Sequence, residues 1–142
     1  MPKHYSWNDK VVLVVEDDPS SLMLLQTILS RTGAKLLVAE DGETAVSLVQ
    51  DNSDIDLILM DIRLKGLSGL EATEQIKKIN PKTPVIAQTA CAIVGDMEMC
   101  LQAGCNAYLA KPIVTETLLE TMDYYFKKSM VQDIFDSVWY AN

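Results

Sequence analysis

The chain has 142 residues, of which 49% are hydrophobic and 23% are charged, and its formal net charge is −8. This length and composition indicate one soluble globular domain with a sizeable core. The acidic balance argues against direct binding of nucleic acid, which needs a basic surface. No apolar run approaches the length of about eighteen residues that a membrane span requires, and the N-terminus lacks the apolar core of a signal peptide. We therefore expect a cytoplasmic chain, or the cytoplasmic part of a membrane-bound sensor, with no membrane segment of its own.

The cysteines do not indicate a metal site. Cys91, Cys100 and Cys105 form no CxxC pair, and His4 is the one histidine of the chain. A zinc site is therefore not expected, and the thiols are predicted to be small, half-buried side chains in a reducing cytoplasm. His4 lies in the lead-in and is interpreted as incidental.

The first half of the chain alternates apolar runs with amphipathic stretches. Residues 11–15 are β-branched and apolar, which predicts a buried strand. Asp18 and Pro19 then predict an N-cap and a first-turn proline. The helix that follows has inward positions at Leu22, Leu25, Ile28 and Leu29 and is expected to end near Gly33. Residues 35–39 predict a second strand, and Asp41-Gly42 turns the chain into a second helix with Ala45, Leu48 and Val49 on one face.

The second half repeats this alternation three more times. Residues 57–61 predict a strand that is buried on both faces and ends at the carboxylate of Asp61. A loop over residues 62–67 leads to Ser68-Gly69-Leu70-Glu71, which predicts a capping box and a third helix whose inward side chains are Leu70, Thr73 and Ile76. Residues 85–87 and 107–109 predict two more strands, and the second of them runs into Lys111-Pro112. The helix between them has Met97 and Leu101 on one side and ends at Gly104. Thr115 is predicted to cap a final helix with Leu118, Leu119, Met122, Tyr125 and Phe126 inward.

Five strands that alternate with five helices predict an α/β fold with a parallel sheet. The expected architecture is a flavodoxin-like (βα)5 sandwich with strand order 2-1-3-4-5. Residues 11–128 would form the domain, residues 1–10 a lead-in, and residues 129–142 an extra C-terminal helical extension.

The extension is amphipathic. Its apolar residues recur at helical spacing and are Val131, Ile134, Phe135, Val138 and Trp139. Either it extends the fifth helix or it folds back as a sixth helix. Docking on its own domain and contact with a partner or a second copy both remain open.

Polar residues follow the predicted strands where each one ends. Glu16 and Asp17 follow the first strand, Asp61 ends the third, Thr89 follows the fourth and Lys111 the fifth. In the predicted order the first and third strands flank the switch point, so these side chains would meet in one crevice. Clustered carboxylates repel one another and are stable as anions only around a cation. Mg²⁺ fits because it prefers oxygen ligands and retains waters that a phosphate can replace. A carboxylate in such a site can attack phosphorus and form an acyl phosphate.

The chain resembles the receiver domains of two-component response regulators over nearly the whole of residues 11–128. The resemblance rests on five segments in order: Glu16-Asp17 in Val-Val-Glu-Asp-Asp, Asp61 in Leu-Ile-Leu-Met-Asp-Ile-Arg-Leu, residues 68–71, Thr89-Ala90, and Tyr108-Leu109-Ala110-Lys111-Pro112. It implies a phosphorylatable regulatory domain rather than an enzyme that turns over a substrate.

The resemblance also implies roles for individual residues. Asp61 would be the phosphoacceptor, and its metal would be Mg²⁺, with Mn²⁺ as an alternative. Asp17 would be a direct ligand, Glu16 would hold the metal partly through water, and the main-chain carbonyl of Arg63 would complete the protein ligands. Lys111 would pair with the phosphoryl group, and the Lys111-Pro112 bond is expected to be cis.

Thr89 and Tyr108 resemble the switch pair of the family. On phosphorylation the threonine hydroxyl would move toward a phosphoryl oxygen, and the aromatic ring would follow. The responding surface would comprise the fourth helix, fifth strand and fifth helix, and would bind a downstream protein or a second copy. The phosphoryl donor would be a phosphohistidine on a histidine kinase or a histidine phosphotransfer domain. The chain is expected to be either a stand-alone receiver or the receiver module of a hybrid sensor histidine kinase, and the lead-in favours the hybrid kinase.

Two other interpretations compete with this one. A phosphatase of the haloacid-dehalogenase type also uses an aspartyl phosphate, but its DxDxT pattern at the first strand does not occur in Val-Glu-Asp-Asp-Pro. A pseudo-receiver that only binds proteins is the other alternative, and the presence of Asp61, Thr89 and Lys111 argues against it.

Overall fold

The structure is a computed structural model that describes residues 3–90 and 94–139, with side chains outside the description at 94 and 135–139. Strands and helices alternate along the chain, as the sequence predicts. The strands are β1 (Val11–Val15), β2 (Lys35–Ala39), β3 (Leu57–Asp61), β4 (Val85–Thr89) and β5 (Ala107–Ala110). The helices are α1 (Pro19–Ser30), α2 (Gly42–Asp51), α3 (Gly69–Ile79), α4 (Val94–Ala103) and α5 (Thr115–Trp139).

The strands form one parallel sheet in the order β2-β1-β3-β4-β5. This is the predicted flavodoxin-like topology, and the fold class is therefore confirmed. Val15 pairs with Met60, and Asp61 pairs with Gln88. The carboxyl ends of β1, β3 and β4 consequently lie at one edge of the sheet, at the switch point of the topology.

Helices cover both faces of the sheet, and each face has its own apolar core. Ile58 and Met60 point to the face covered by α2, α3 and α4, while Leu57 and Leu59 point to the face covered by α1 and α5. This alternation follows from the two-residue period of a strand. It explains why β3 is apolar without interruption up to Asp61.

Side-chain caps begin three of the helices. Asp18 accepts a hydrogen bond from the Ser21 backbone N–H at 2.9 Å, as predicted, and Asp41 caps α2 in the same way. Ser68 Oγ accepts from the Glu71 N–H at 3.2 Å, which confirms the cap of α3. The predicted cap at Thr115 is wrong by one residue. The Val114 carbonyl accepts the hydrogen bond from the Leu118 N–H, so the capping position is Val114.

The side of α4 that carries Met97 and Leu101 does not face the core. Met97 is 52% exposed and Leu101 is 55% exposed, whereas α4 buries Cys100 and Ala103 against the sheet. The helix is short and has apolar residues on several of its sides, so its periodicity does not determine its inward face. Cys105 is buried next to Cys100, and Cys91 lies outside the described residues.

The C-terminal extension continues α5 and does not form a sixth helix. The helix runs unbroken to Trp139, and Val131 and Ile134 on the extension are 61% and 56% exposed. Docking of these two side chains on their own domain is therefore not observed. The side chains of Phe135, Val138 and Trp139 lie outside the described residues. No helix in the described part of the chain is long and apolar enough to cross a membrane.

The lead-in contributes to the core, which the sequence interpretation missed. Trp7 is buried between α1 and α5, and its ring meets Phe126 edge-on with 4.9 Å between centroids. The backbone N–H of Trp7 also donates to the Thr32 carbonyl at 2.7 Å. The segment before β1 therefore covers the open end of the core on this face.

Substitution of Trp7 with Ala is predicted to destabilise the domain by about 3–5 kcal/mol, because it leaves a large cavity beside Phe126. Urea unfolding measures this loss. The matched control is Met23→Ala, which changes an exposed side chain of α1 and should alter the free energy of unfolding by less than about 0.5 kcal/mol. Equal effects of the two changes would show that Trp7 is not a core residue.

Candidate functional site

Three carboxylates converge at the carboxyl edge of the sheet. Glu16 follows β1, Asp17 comes next, and Asp61 ends β3, and one carboxylate oxygen of each lies within 4.8 Å of the others. The register of β1 and β3 places Glu16 and Asp61 at the same height. Glu16 is 1% exposed and Asp61 is 7% exposed. Such a cluster of buried negative charge requires cations close by.

Lys111 provides one of these cations. Its Nζ lies 2.6 Å from Glu16 Oε1 and 3.3 Å from Asp61 Oδ2, so it bridges the two buried carboxylates. The Lys111 N–H donates to the Thr89 carbonyl at 2.8 Å, which anchors the chain as it leaves β5. The Lys111-Pro112 bond is cis, as predicted.

Backbone N–H groups hold the remaining carboxylate oxygens. The Arg63 N–H donates to Asp61 Oδ1 at 2.9 Å, and the Asp18 N–H donates to Glu16 Oε2 at 3.3 Å. Each buried carboxylate thus has one oxygen toward Lys111 and one toward the backbone. These hydrogen bonds orient both carboxylates in the structure.

The start of α3 lies against the end of β3. A Cβ atom at Gly69 would lie 2.2 Å from the Asp61 carbonyl oxygen, which is far inside contact distance. Only glycine therefore permits α3 to begin here, and the Gly69 N–H donates to the Ile62 carbonyl at 3.2 Å.

Burial and neighbouring charges shift the pKa values of Glu16 and Lys111. Burial, followed by the hydrogen bond and charge of Asp61, raises the pKa of Glu16 from 4.5 to about 7, although Lys111 acts in the opposite direction. Burial lowers the pKa of Lys111, but the hydrogen bond to Glu16 and the charges of Asp61 and Glu16 outweigh it, so the net shift is upward. The raised pKa of Lys111 keeps its ammonium charged at neutral pH, and the raised pKa of Glu16 means that it holds its proton more strongly than an ordinary glutamate.

Asp18 does not belong to the carboxylate cluster. Its side chain accepts hydrogen bonds from the Ser21 N–H and hydroxyl, and these lower the pKa of Asp18. This agrees with the expectation that Asp18 is a helix cap and not a metal ligand.

Thr89 and Tyr108 lie on neighbouring strands. Thr89 ends β4 and is fully buried, one residue beyond the partner of Asp61. Tyr108 is half-buried on β5 and packs against the core that contains Met60 and Ala87. Strand alternation puts Thr89 on that same face. The switch role of this pair, like the ligand role of the Arg63 carbonyl, stays a prediction.

One buried polar side chain at this edge was missed by the sequence interpretation. Gln88, the strand partner of Asp61, is 2% exposed. The available signal was a glutamine directly after the apolar run of residues 85–87. Its position adjacent to Asp61 becomes evident only from the strand register.

The geometry agrees with the comparisons with known proteins. Residues 12–123 match the family described as the response regulator receiver domain. The chain belongs to this family. Receiver domains are phosphoacceptor regulatory modules of two-component signalling, not enzymes with a turnover reaction, and this excludes the haloacid-dehalogenase-type phosphatase.

Two kinds of relative match this receiver domain. The sensor protein GacS of Pseudomonas syringae is 37% identical over 116 residues, which are 78% of this chain and 13% of that protein. The polar-differentiation response regulator DivK of Brucella anthropi is 38% identical over 118 residues, which are 82% of this chain and 95% of DivK. The chain therefore spans about an eighth of GacS but nearly all of DivK.

Solved receiver structures share the fold. The receiver domain of sensor histidine kinase PA1611 from Pseudomonas aeruginosa is 37% identical, with a TM-score of 0.78 over 83% of this chain and 98% of that one, and it was solved with a magnesium ion coordinated in its active site cleft. A receiver domain from Methanospirillum hungatei is 27% identical, with a TM-score of 0.82 over 87% of this chain and 98% of that one.

The raised pKa of Glu16 predicts a pH-dependent stability. The folded-state pKa of about 7 exceeds the ordinary value of 4.5. The contribution of Glu16 to the free energy of unfolding is therefore fully present below pH 4.5 and is lost as the pH rises through about 7. In chelator, the free energy of unfolding of the wild type should fall relative to Glu16→Gln between about pH 5 and about pH 8, on the order of 1–3 kcal/mol. Parallel pH profiles in urea unfolding of the two proteins would contradict this expectation.

Proposed function

We propose that Asp61 accepts a phosphoryl group from a phosphohistidine, on a histidine kinase or a histidine phosphotransfer domain, in a Mg²⁺-dependent reaction. The observation that carries this proposal is the contact of Lys111 with both Asp61 and Glu16 beside Asp17. A buried carboxylate next to a fixed ammonium and two further carboxylates suits phosphoryl transfer, in which positioning and charge neutralisation are the main demands.

The donor set fits Mg²⁺. Glu16, Asp17 and Asp61 supply oxygen ligands, and the main-chain carbonyl of Arg63 would be the fourth protein ligand. Mn²⁺ accepts the same ligands and is the alternative metal. When bound, the metal supplies charge neutralisation for the phosphoryl oxygens. The magnesium ion in the PA1611 receiver domain supports this choice.

The transfer step forms one bond and breaks one. A carboxylate oxygen of Asp61 attacks phosphorus, the P–N bond to the donor histidine breaks, and its electron pair returns to the imidazole. The Arg63 N–H holds Oδ1 of Asp61, while Oδ2 faces the Lys111 ammonium. Lys111 can therefore neutralise a phosphoryl oxygen without leaving the site, because its own pKa keeps it charged.

Thr89 and Tyr108 would transmit the phosphorylation of Asp61 to the protein surface. The buried Thr89 hydroxyl would donate to a phosphoryl oxygen, and the half-buried Tyr108 ring would move inward on the same face. This favours one state of the surface formed by α4, β5 and α5, which would bind a downstream protein or a second copy. The exposed Met97 and Leu101 of α4 support a binding role for this surface.

The relatives allow two biological settings. DivK matches at nearly full length, as a stand-alone receiver would, and GacS matches over a small part, as a hybrid-kinase module would. The lead-in still favours the hybrid kinase, and in either setting the domain would act in the cytoplasm. The division of the chain at residues 10 and 128 remains part of this proposal.

Incubation with Mg²⁺ and acetyl phosphate tests the phosphoacceptor. Intact mass spectrometry should show the gain of one phosphoryl group by the wild type and by Asp54→Asn, which changes an exposed aspartate. Asp61→Asn should gain none, because the amide is a poor nucleophile toward phosphorus. Absence of the mass gain in the wild type would refute the proposal and favour the pseudo-receiver, whereas its persistence in Asp61→Asn would refute Asp61 as the acceptor.

Asp17 and Asp18 provide a matched pair for the metal site. Asp17→Asn should weaken Mg²⁺ binding at least about tenfold, or about 1.4 kcal/mol, because it removes a charged ligand. Asp18→Asn should leave the affinity nearly unchanged, because asparagine retains the helix cap. Titration calorimetry distinguishes these outcomes, and equal affinities of the two variants would remove Asp17 from the ligand set.

A further inference from the structure

Gln88 is a buried polar side chain with an unsatisfied acceptor. It is 2% exposed, and among the described residues its Oε1 has no hydrogen-bond partner. A buried acceptor without a donor typically costs about 1–3 kcal/mol. Native structures contain few such groups, and they call for a specific explanation.

The strand register places Gln88 directly beside the phosphoacceptor site. Gln88 pairs with Asp61 on one side and with Leu109 on the other. Ile86, two residues earlier on β4, points into the core between α1 and α5, so alternation directs Gln88 to that same face. Asp61 lies on this face by the same argument, two residues after Leu59. Lys111, two residues after Leu109, reaches Asp61 there.

Lys111 is the charged side chain of the site that can satisfy Gln88. Glu16, Asp17 and Asp61 are acceptors when ionised, whereas the lysine ammonium has three donor protons. In the described structure two contacts of Nζ are with Glu16 Oε1 and Asp61 Oδ2. The shorter of these, 2.6 Å to Glu16, competes with a role of Glu16 as a metal ligand.

We infer that Gln88 is a positioning residue whose Oε1 accepts a hydrogen bond from Lys111 when Glu16 turns to the metal. This inference rests on the proposed function. The exchange of one acceptor for another keeps the ammonium directed at Asp61 while it releases Glu16. Gln88 Oε1 thus lacks a donor while Lys111 contacts Glu16 and gains one when Glu16 contacts the metal, a combination typical of functional positions.

The exchange predicts that Gln88→Met raises thermal stability but weakens binding of a phosphoryl analogue. Gln88→Met retains an unbranched side chain of similar length but removes the acceptor. Without metal its melting temperature should rise by about 2–8 °C, because the unsatisfied group is gone. In Mg²⁺ with fluoroberyllate, a phosphoryl analogue, its affinity for the analogue should fall about five- to thirtyfold. A residue with only a packing role would not give this pair of changes.

Differential scanning calorimetry in chelator and titration of fluoroberyllate measure the two effects. The control is Ile86→Leu, a volume-conserving change on the same face of β4, which should leave the affinity within about twofold of wild type. The inference is overturned if Gln88→Met lowers the melting temperature of the metal-free protein or binds fluoroberyllate as tightly as wild type. If wild type takes up a phosphoryl group but Gln88→Met has the same melting temperature and fluoroberyllate affinity as wild type, the proposed function stands and this inference alone is wrong. If wild type binds neither fluoroberyllate nor a phosphoryl group, both are wrong.

Discussion

The structure depends on the balance between buried negative charge and Lys111 at one edge of the sheet. Glu16 and Asp61 lie almost entirely out of water, and their oxygens face each other and Asp17. Without a compensating cation, burial of such charge is strongly unfavourable. Lys111 lowers the pKa of Glu16, but burial and the neighbouring Asp61 outweigh it, so the net pKa shift of Glu16 is upward. A divalent cation held by these carboxylates would offset further negative charge, which would couple metal binding to folding stability.

The topology makes this concentration of charge possible. Parallel strands bring residues that are distant in sequence to one edge, and the order β2-β1-β3-β4-β5 puts the ends of β1 and β3 side by side. Lys111 closes the site from the far side of β4, across a span of fifty residues from Asp61. The two apolar cores and the close packing at Gly69 keep these strand ends in place. Any movement of the strand ends would disrupt this packing.

Local sequence signals predicted most of this arrangement, and tertiary contacts determined the rest. The apolar run up to Asp61 and the cap at Asp18 depend on neighbours in sequence, and both were predicted correctly. The burial of Trp7 depends on α5, more than a hundred residues away, and no local pattern reveals it. The importance of Gln88 depends on the register between β3 and β4. The inward face of α4 could not be predicted because apolar residues occur on several of its sides.

The central claim is that the phosphoryl group forms a bond with the side chain of Asp61. Borohydride reduces an acyl phosphate to an alcohol, so it converts a phosphorylated aspartate to homoserine and marks its position. After incubation with Mg²⁺ and acetyl phosphate, reduction and peptide mass spectrometry should locate homoserine at residue 61. Its appearance at Asp17, at Asp18 or at no aspartate would contradict the account.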